Sequence, residues 1–413
     1  MKALRVLPVL LWLALVPNPA EAQLSSAALS AFDGAAGDNF SRAIDMSGST
    51  IVVGAPGDQD KGEDSGSVYL YEFFLGSWFF TAKLTAPLGD AFDRFGRSVA
   101  IDGDLLAVGA PTDSTQSVGG GVVYVFRRIS GTWFFEVRLL PSAPGLRANF
   151  GQAVAVDEAT NTVAVGAPFK DSPGEEDSGS VFVFRRTGSV WQEETRLQAS
   201  DDREDDQFGF SVDIEGNRLM AGAPGDDLTF IGTISGAVYY FERSGSVWIE
   251  RQKLKPSPSG SNDFFAWDLD LDGRRLIVSA EGQSAAFVFR RQGSTWIQED
   301  RLTGPTADFG SSVALADPYA IVGPMVFETG SGAAHIFVRA GSSWRRETTL
   351  TLTNGVAGDA FGSPLAADGL RFAIGAEGIA QNQGQAFVVQ RSRTVFADGF
   401  GTGSLAGWSR RSP

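Results

Sequence analysis

FGRSVAIDGDLLAVGAP, residues 95–111, decides how the chain is read. Phe95-Gly96 opens a short apolar run, Asp102-Gly103 interrupts it, and a second apolar run ends in Gly-Ala-Pro at 109–111. Asp-Gly between two apolar runs is the strongest short-range hairpin signal. Proline closes the second run because it has no N–H to give a ladder. The stretch therefore reads as two antiparallel strands. It returns, varied, from Phe40, Phe150, Phe208, Phe264, Phe309 and Phe361. Seven copies at a spacing near 50 residues mark a propeller or a solenoid rather than seven separate domains.

Each copy continues in the same way. A Gly-, Asp- and Ser-rich loop follows, then a third strand such as 122–126, a tight glycine turn, and a fourth strand that begins near a tryptophan, as at Trp133. Glycine or proline breaks every window long enough for a helix. The third strands, Val-Tyr-Leu-Tyr at 68–71 and Val-Phe-Val-Phe at 181–184, are apolar on both faces, so the sheets must be covered on both sides. Sheets stacked radially as blades meet that demand. The expected fold is all-β, a seven-bladed β-propeller of four-stranded antiparallel blades.

The seventh copy supplies three strands but no tryptophan strand. Residues 23–40 align with 80–95, which hold the end of one fourth strand and the link to the next blade. Residues near 24–31 are therefore expected to complete the last blade, with 395–400 as the competing segment. The chain divides into a signal peptide at 1–22, a propeller at 23–394 and a C-terminal tail at 395–413. The signal is read from the basic start Met-Lys-Ala-Leu-Arg, the apolar run 6–16 and the Ala-x-Ala end at 20–22. Export to the periplasm, the cell surface or the medium is expected. The apolar run is too short to span a bilayer, and no run of 18 apolar residues follows.

Composition narrows the function. The chain has no cysteine, which excludes disulfides, thiolate catalysis and cysteine-ligated metals. Its net charge is −15, and loss of the signal would make it one unit more negative. A basic footprint for nucleic acid or an anionic membrane is missing. Cations remain plausible partners. A monomer is expected.

The residues resemble FG-GAP repeat proteins, whose blades also build the heads of integrin α-subunits. Phe-Gly occurs at 95–96, 150–151, 208–209, 309–310 and 361–362, and Gly-Ala-Pro at 54–56, 109–111, 166–168 and 222–224. Gly-x-x-Trp before the fourth strand, at 188–191, 245–248, 293–296 and 341–344, is similar to a bacterial exported subtype. The resemblance covers about residues 24–391. It implies a seven-bladed propeller and, by analogy, adhesion or ligand binding.

Integrin-type repeats often carry an aspartate-rich calcium loop between Phe-Gly and Gly-Ala-Pro, and here that interval mostly shrinks to a two-residue turn. Only Asp268-Leu-Asp270-Leu-Asp272-Gly273 is similar, and Leu276 stands where the late acidic ligand belongs. It reads better as a strand with aspartates on one face. The stronger calcium candidate is the loop with Asp58, Asp60 and Asp64, whose carboxylates sit at alternate positions around Gly62. Its plainer reading is turn chemistry, in which aspartate and glycine dominate anyway.

Strand order places the tight turns on one face of the ring and the long loops and blade links on the other. The long loops are acidic, so the ligand face is assigned there, with Asp171, Glu175, Glu176, Asp177, Asp201, Asp202, Asp205, Asp206, Asp226 and Asp227 as candidates. Asp38, Asp93, Asp206 and Asp359, two residues before a repeat phenylalanine, are expected to pin the links through backbone N–H groups. The ligand is a protein, a glycan or a cation-bridged molecule.

Catalysis is the alternative, as a carboxylate-based glycan hydrolase or lyase on the same face. No carboxylate pair stands out. The single histidine, His335, opens an apolar strand and reads as core rather than as a base. A sialidase turn would need aspartate where Arg186 and Arg291 stand. The repeated tryptophans read as packing between blades.

Overall fold

The computed structural model describes residues 24–226, 234–305, 309–324 and 330–391, together with the two-residue strand Leu13–Ala14. The rest of the expected signal segment, Asp227 and the tail 395–413 lie outside the described residues. Seven antiparallel sheets of four propeller strands form the fold, and Leu13–Ala14 adds a short edge to the sixth. The innermost strands touch in cyclic order, and the first meets the seventh to close the ring. Among the described residues, helix is confined to a 3-10 turn at Glu281–Gln283 and one turn at Ile379–Asn382.

The second blade shows how the repeat folds. Its strands run Ser98–Asp102, Leu105–Ala110, Val122–Ile129 and Thr132–Leu139 from the axis outward. The second strand continues through Gly109 and Ala110 and stops at Pro111, two residues beyond the apolar run that ends at Val108. The second strand is buried end to end and the third over its first five residues, because neighbouring blades cover both faces. Six blades carry a bulge at one equivalent place between the third and fourth strands, as between Phe135 and Val137. A bulge steepens local twist, and it has no mark in the hydrophobic pattern.

The repeated motif is an inter-blade joint. Phe95 N–H donates to Ser65 O of the preceding blade at 3.1 Å, and its ring packs edge-on against Tyr124 at 5.5 Å. The carbonyl of Gly96 then lies against Gly54 of the preceding Gly-Ala-Pro, where a Cβ would stand 2.0 Å from the oxygen. Gly109 meets Gly151 O in the same way at 2.1 Å. Phe-Gly and Gly-Ala-Pro are two halves of one contact, made by successive blades.

One assignment changes. In the fifth blade the joint is made by Phe265, not Phe264: Phe265 bridges Gly236 and packs edge-on against Phe287, as Phe208 bridges Gly179 and packs edge-on against Tyr239. The doublet Phe264-Phe265 hides this one-residue offset in the sequence.

Leu24–Leu29 fills the outer position of the seventh blade, paired antiparallel with Gln385–Arg391 from Leu24↔Arg391 to Leu29↔Ala386. The competing segment 395–400 lies outside the described residues. Removing residues 24–29 exposes the ladder of 385–391 as a free edge. The shortened protein is expected to melt several degrees lower and to self-associate. Calorimetry and light scattering would read both effects, and an unchanged melting curve would contradict the closure role.

Candidate functional site: the long-loop face and the central channel

The link aspartates act as the sequence suggests. Asp38, Asp93, Asp206 and Asp359 each accept the backbone N–H three residues earlier, at 2.6, 2.6, 2.8 and 2.7 Å. Asp263 does the same for Gly260 at 2.5 Å, consistent with Phe265 as its repeat phenylalanine.

The acidic candidates between the third and fourth blades form one bonded ridge. Ser172 Oγ donates to Asp202 at 2.7 Å, and Glu204 N–H donates to Glu175 at 2.8 Å. The carbonyls of Glu176 and Asp177 accept the N–H groups of Asp205 and Gln207. Asp177 N–H closes onto the Asp171 carboxylate at 3.1 Å. These acids order loop against link. Buried Asp206 is pushed up to about 7, first by desolvation and then by the charge of Asp226.

The calcium candidates separate. Asp58 and Asp60 converge, but on a lysine. Lys83 Nζ lies 2.8 Å from Asp33, 2.9 Å from Asp58 and 2.7 Å from Asp60, and the Tyr69 hydroxyl sits between Asp33 and Asp58, 2.8 Å from each. Asp64 lies apart, 3.8 Å from Arg94. Burial works against the ammonium, yet the three carboxylates outweigh it and hold the Lys83 pKa above its usual range. The fourth blade repeats the device: Tyr239 OH bridges Asp201 and Asp226 at 2.8 Å each, and Lys253 and Lys255 reach Asp226. Each cluster joins a link, a loop and two strands. Spacing showed the aspartates; the lysine comes from a fourth strand about 20 residues on, and nothing local announces it.

The innermost strands enclose a central channel of about 820 Å³. None of the described acidic ligand-face candidates lines it. Facing it instead is the residue two places after each repeat phenylalanine: Arg42, Arg97, Gln152, Phe210, Trp267, Ser311 and Ser363. These positions begin the inner strands, so they ring the mouth on the long-loop side. Trp267 keeps 41% of its surface exposed there, with Phe210 stacked on it at 4.3 Å between centroids. Arg42 pairs with Glu377 at 2.8 Å. The Arg97 guanidinium has no hydrogen bond or ion pair among the described residues. Enclosure by the channel walls and then the nearby charge of Arg42 lower its pKa to about 10.

Deeper in the channel, aspartates stitch blade to blade. Asp45 accepts Ile101 N–H, Asp213 accepts Leu271 N–H, and Asp270 accepts Leu315 N–H, at 2.7, 2.7 and 2.6 Å. Near the tight turns, Asp102, Asp157, Glu215 and Asp272 hold the next blade likewise. The 268–272 stretch is thus strand, as read, with its aspartates bonded to the sixth blade. Desolvation raises Asp45 to about 7 and Asp268 to about 6. Desolvation raises Asp213 and Asp270 too, and the two share a hydrogen bond. His335 is buried, bonded to Thr349 at 3.0 Å and packed on Phe309; burial lowers it to about 4, so it is neutral core.

Two outcomes follow from these charges. Replacing Lys83 by Met strands the buried Asp58 carboxylate and is expected to cost about 3 kcal/mol, the low end for a broken buried pair because Asp33 and Asp60 reach solvent. Asp58→Asn in the same chain should return part of that loss. Additive losses in chemical denaturation would contradict the pairing.

The second concerns pH. The channel carboxyls have folded pKa values above the unfolded 3.8, so the native state holds protons that the unfolded chain releases. Their contribution is complete below about pH 4 and is lost as pH rises towards 7. The melting temperature should fall across that interval, and Asp270→Asn should flatten the fall more than Glu63→Gln, which removes an exposed charge. Equal flattening by both variants would assign the effect to general self-repulsion.

Similarity to known proteins agrees with this geometry. No curated protein sequence matches the chain. Among solved structures it is similar to the WD40 repeats of RRP9, with a TM-score of 0.55 at 12% identity over 90% of this chain and 100% of that one. It is also similar to a Lactobacillus plantarum protein, at 0.51 and 15% over 76% and 86%. The periplasmic gluconolactonase of Pseudomonas aeruginosa gives 0.51 and 16% over 76% and 85%. Such identities speak for the fold alone. A family model described as FG-GAP repeat matches residues 25–71, 78–126, 133–184 and 191–241, the first four blade repeats in sequence. With the same joint built on into the later blades, the chain belongs to the FG-GAP repeat proteins.

Proposed function

We propose that this protein is an exported, non-catalytic binding propeller that receives its ligand on the long-loop face, at the mouth of the central channel. The observation that carries the reading is the pairing of a half-exposed Trp267, stacked on Phe210, with an unpaired Arg97 on one rim. A large aromatic face beside convergent polar groups in a concavity is how ligand sites are built. The acidic loops around it are occupied with one another and make the rim rigid. The channel carboxyls have raised pKa values, which elsewhere can mark catalysis. Here Asp45, Asp213, Asp268 and Asp270 each accept an N–H of the next blade, a structural duty that accounts for them. Export rests on the basic, apolar and Ala-x-Ala pattern at the N-terminus, and a secreted chain beginning at Gln23 would support it.

Immobilised polysaccharides and surface proteins, incubated with the purified protein and followed by binding and product analysis, test the reading. Retention without released product is expected. Trp267→Ala should weaken retention about tenfold or more without shifting the melting temperature, whereas Glu175→Gln with Glu176→Gln should leave it nearly unchanged. Release of shortened glycans would replace this reading with a catalytic one.

A further inference from the structure

Among the described residues, Arg97 is the one charged group at the channel mouth that the fold does not explain. The deep aspartates hold the next blade, the link aspartates hold their links, and Arg42 holds Glu377. Arg97 holds nothing among the described residues, although its side chain stands half-buried at the mouth of a walled channel, where an unmatched charge is costly. Its depressed pKa, about 10, is the mark of that mismatch, and Arg42 and Arg94 add repulsion. A guanidinium is a planar fork suited to two oxygens of one carboxylate. Of the other mouth residues, Glu377 is held by Arg42 and Glu281 lies beside Ser311 with its pKa raised by burial. Gln152, Ser311 and Ser363 are neutral hydrogen-bonding groups, and Trp267 offers an apolar plate. Below them lie carboxyl oxygens, which accept hydrogen bonds and repel anions.

We propose, resting on the binding reading above, that the channel mouth recognises an acidic sugar chain: the carboxylate of a uronic acid pairs with Arg97 at the rim, a sugar ring lies on Trp267, and hydroxyls point inward. The charge distribution sets this orientation. The rim beside Arg97 is where an anion finds a cation, whereas the deeper walls carry the carboxyls of Asp45, Asp213 and Asp270 and, among the described residues, no arginine or lysine. Sugar hydroxyls can hydrogen-bond to those carboxyls, whereas a second acid group would find no cation to pair with there. Arg97 lies in the second blade and Trp267 in the fifth, on opposite sides of the channel, so a chain of two or more rings fits better than a single sugar.

The test uses the intact protein and two matched sets of oligosaccharides, oligouronates and the same chains with their carboxyls reduced to alcohols, measured by calorimetry. Wild type should prefer the acid form by about tenfold or more, and the preference should shrink with added salt. Arg97→Gln should bind both forms alike, at the level at which wild type binds the reduced form. Trp267→Ala should lose affinity for both forms in equal proportion. Melting curves of both variants keep a folding defect apart from a binding one. The inference is overturned if wild type binds no oligouronate, if it binds both forms equally, if Arg97→Gln keeps the preference, or if an acidic peptide of equal charge binds more tightly. A ligand lost by Trp267→Ala but indifferent to Arg97→Gln would overturn the acidic-sugar assignment and leave the binding propeller standing. Released product would overturn that reading instead.

Discussion

The ring depends on a contact in which one backbone oxygen replaces a side chain. The carbonyl after the repeat phenylalanine presses against the glycine of the preceding Gly-Ala-Pro at Gly54, Gly109, Gly166 and Gly222, and an alanine Cβ at Gly54 or Gly109 would stand about 2 Å from that oxygen. No rotamer relieves such a clash, because Cβ has no torsion of its own. The contact fixes the distance between inner strands, and the phenylalanine ring beside it fills the gap between sheets. Blade stacking then buries the middle strands on both faces, which explains why Val, Phe and Tyr replace the usual alternation there. The motif persists along the chain because each copy is half of a joint whose other half lies in the neighbour.

Carboxylates serve this ring more than they decorate it. Aspartates close the links, a lysine gathers three of them under the first blade, and inner-strand acids take N–H groups from the next blade. At the tight-turn side the series runs through Ser47, Asp102, Asp157, Glu215, Asp272 and Asp368, each binding the following blade, and Ala316 alone breaks it. A strongly acidic composition is therefore compatible with a rigid scaffold. The cost appears as raised pKa values in the channel, where desolvation is strongest.

Much of this was legible in the sequence. The period, the Asp-Gly hairpins and the unmatched N-terminal strand define the blades and their closure, since each is a local pattern. The link aspartates could be read because their bonds span three residues. The one-residue offset at Phe264-Phe265 could not, because two adjacent phenylalanines offer the same side chain to the same pattern. The lysines among Asp58 and Asp60, and near Asp226, escaped for a different reason: they arrive from another strand, and only pairing register brings them in. The mouth residues were hidden by variety. Arginine, glutamine, phenylalanine, tryptophan and serine share one place in the repeat, and a search for similarity passes over the position where copies differ.

Closure by the first described strand also governs the order of events in time. Leu24–Leu29 leaves the ribosome before any other described strand of the ring, yet its partner Gln385–Arg391 is made last. Until then the earlier blades can stack only as an open arc with two uncovered ends. The final pairing joins residues separated by nearly the whole described chain, so its loop-closure entropy is met only once six interfaces have already shortened the gap. Folding should thus end, and unfolding begin, at the seam between the seventh and first blades. The last and slowest step of assembly belongs to the oldest part of the polypeptide.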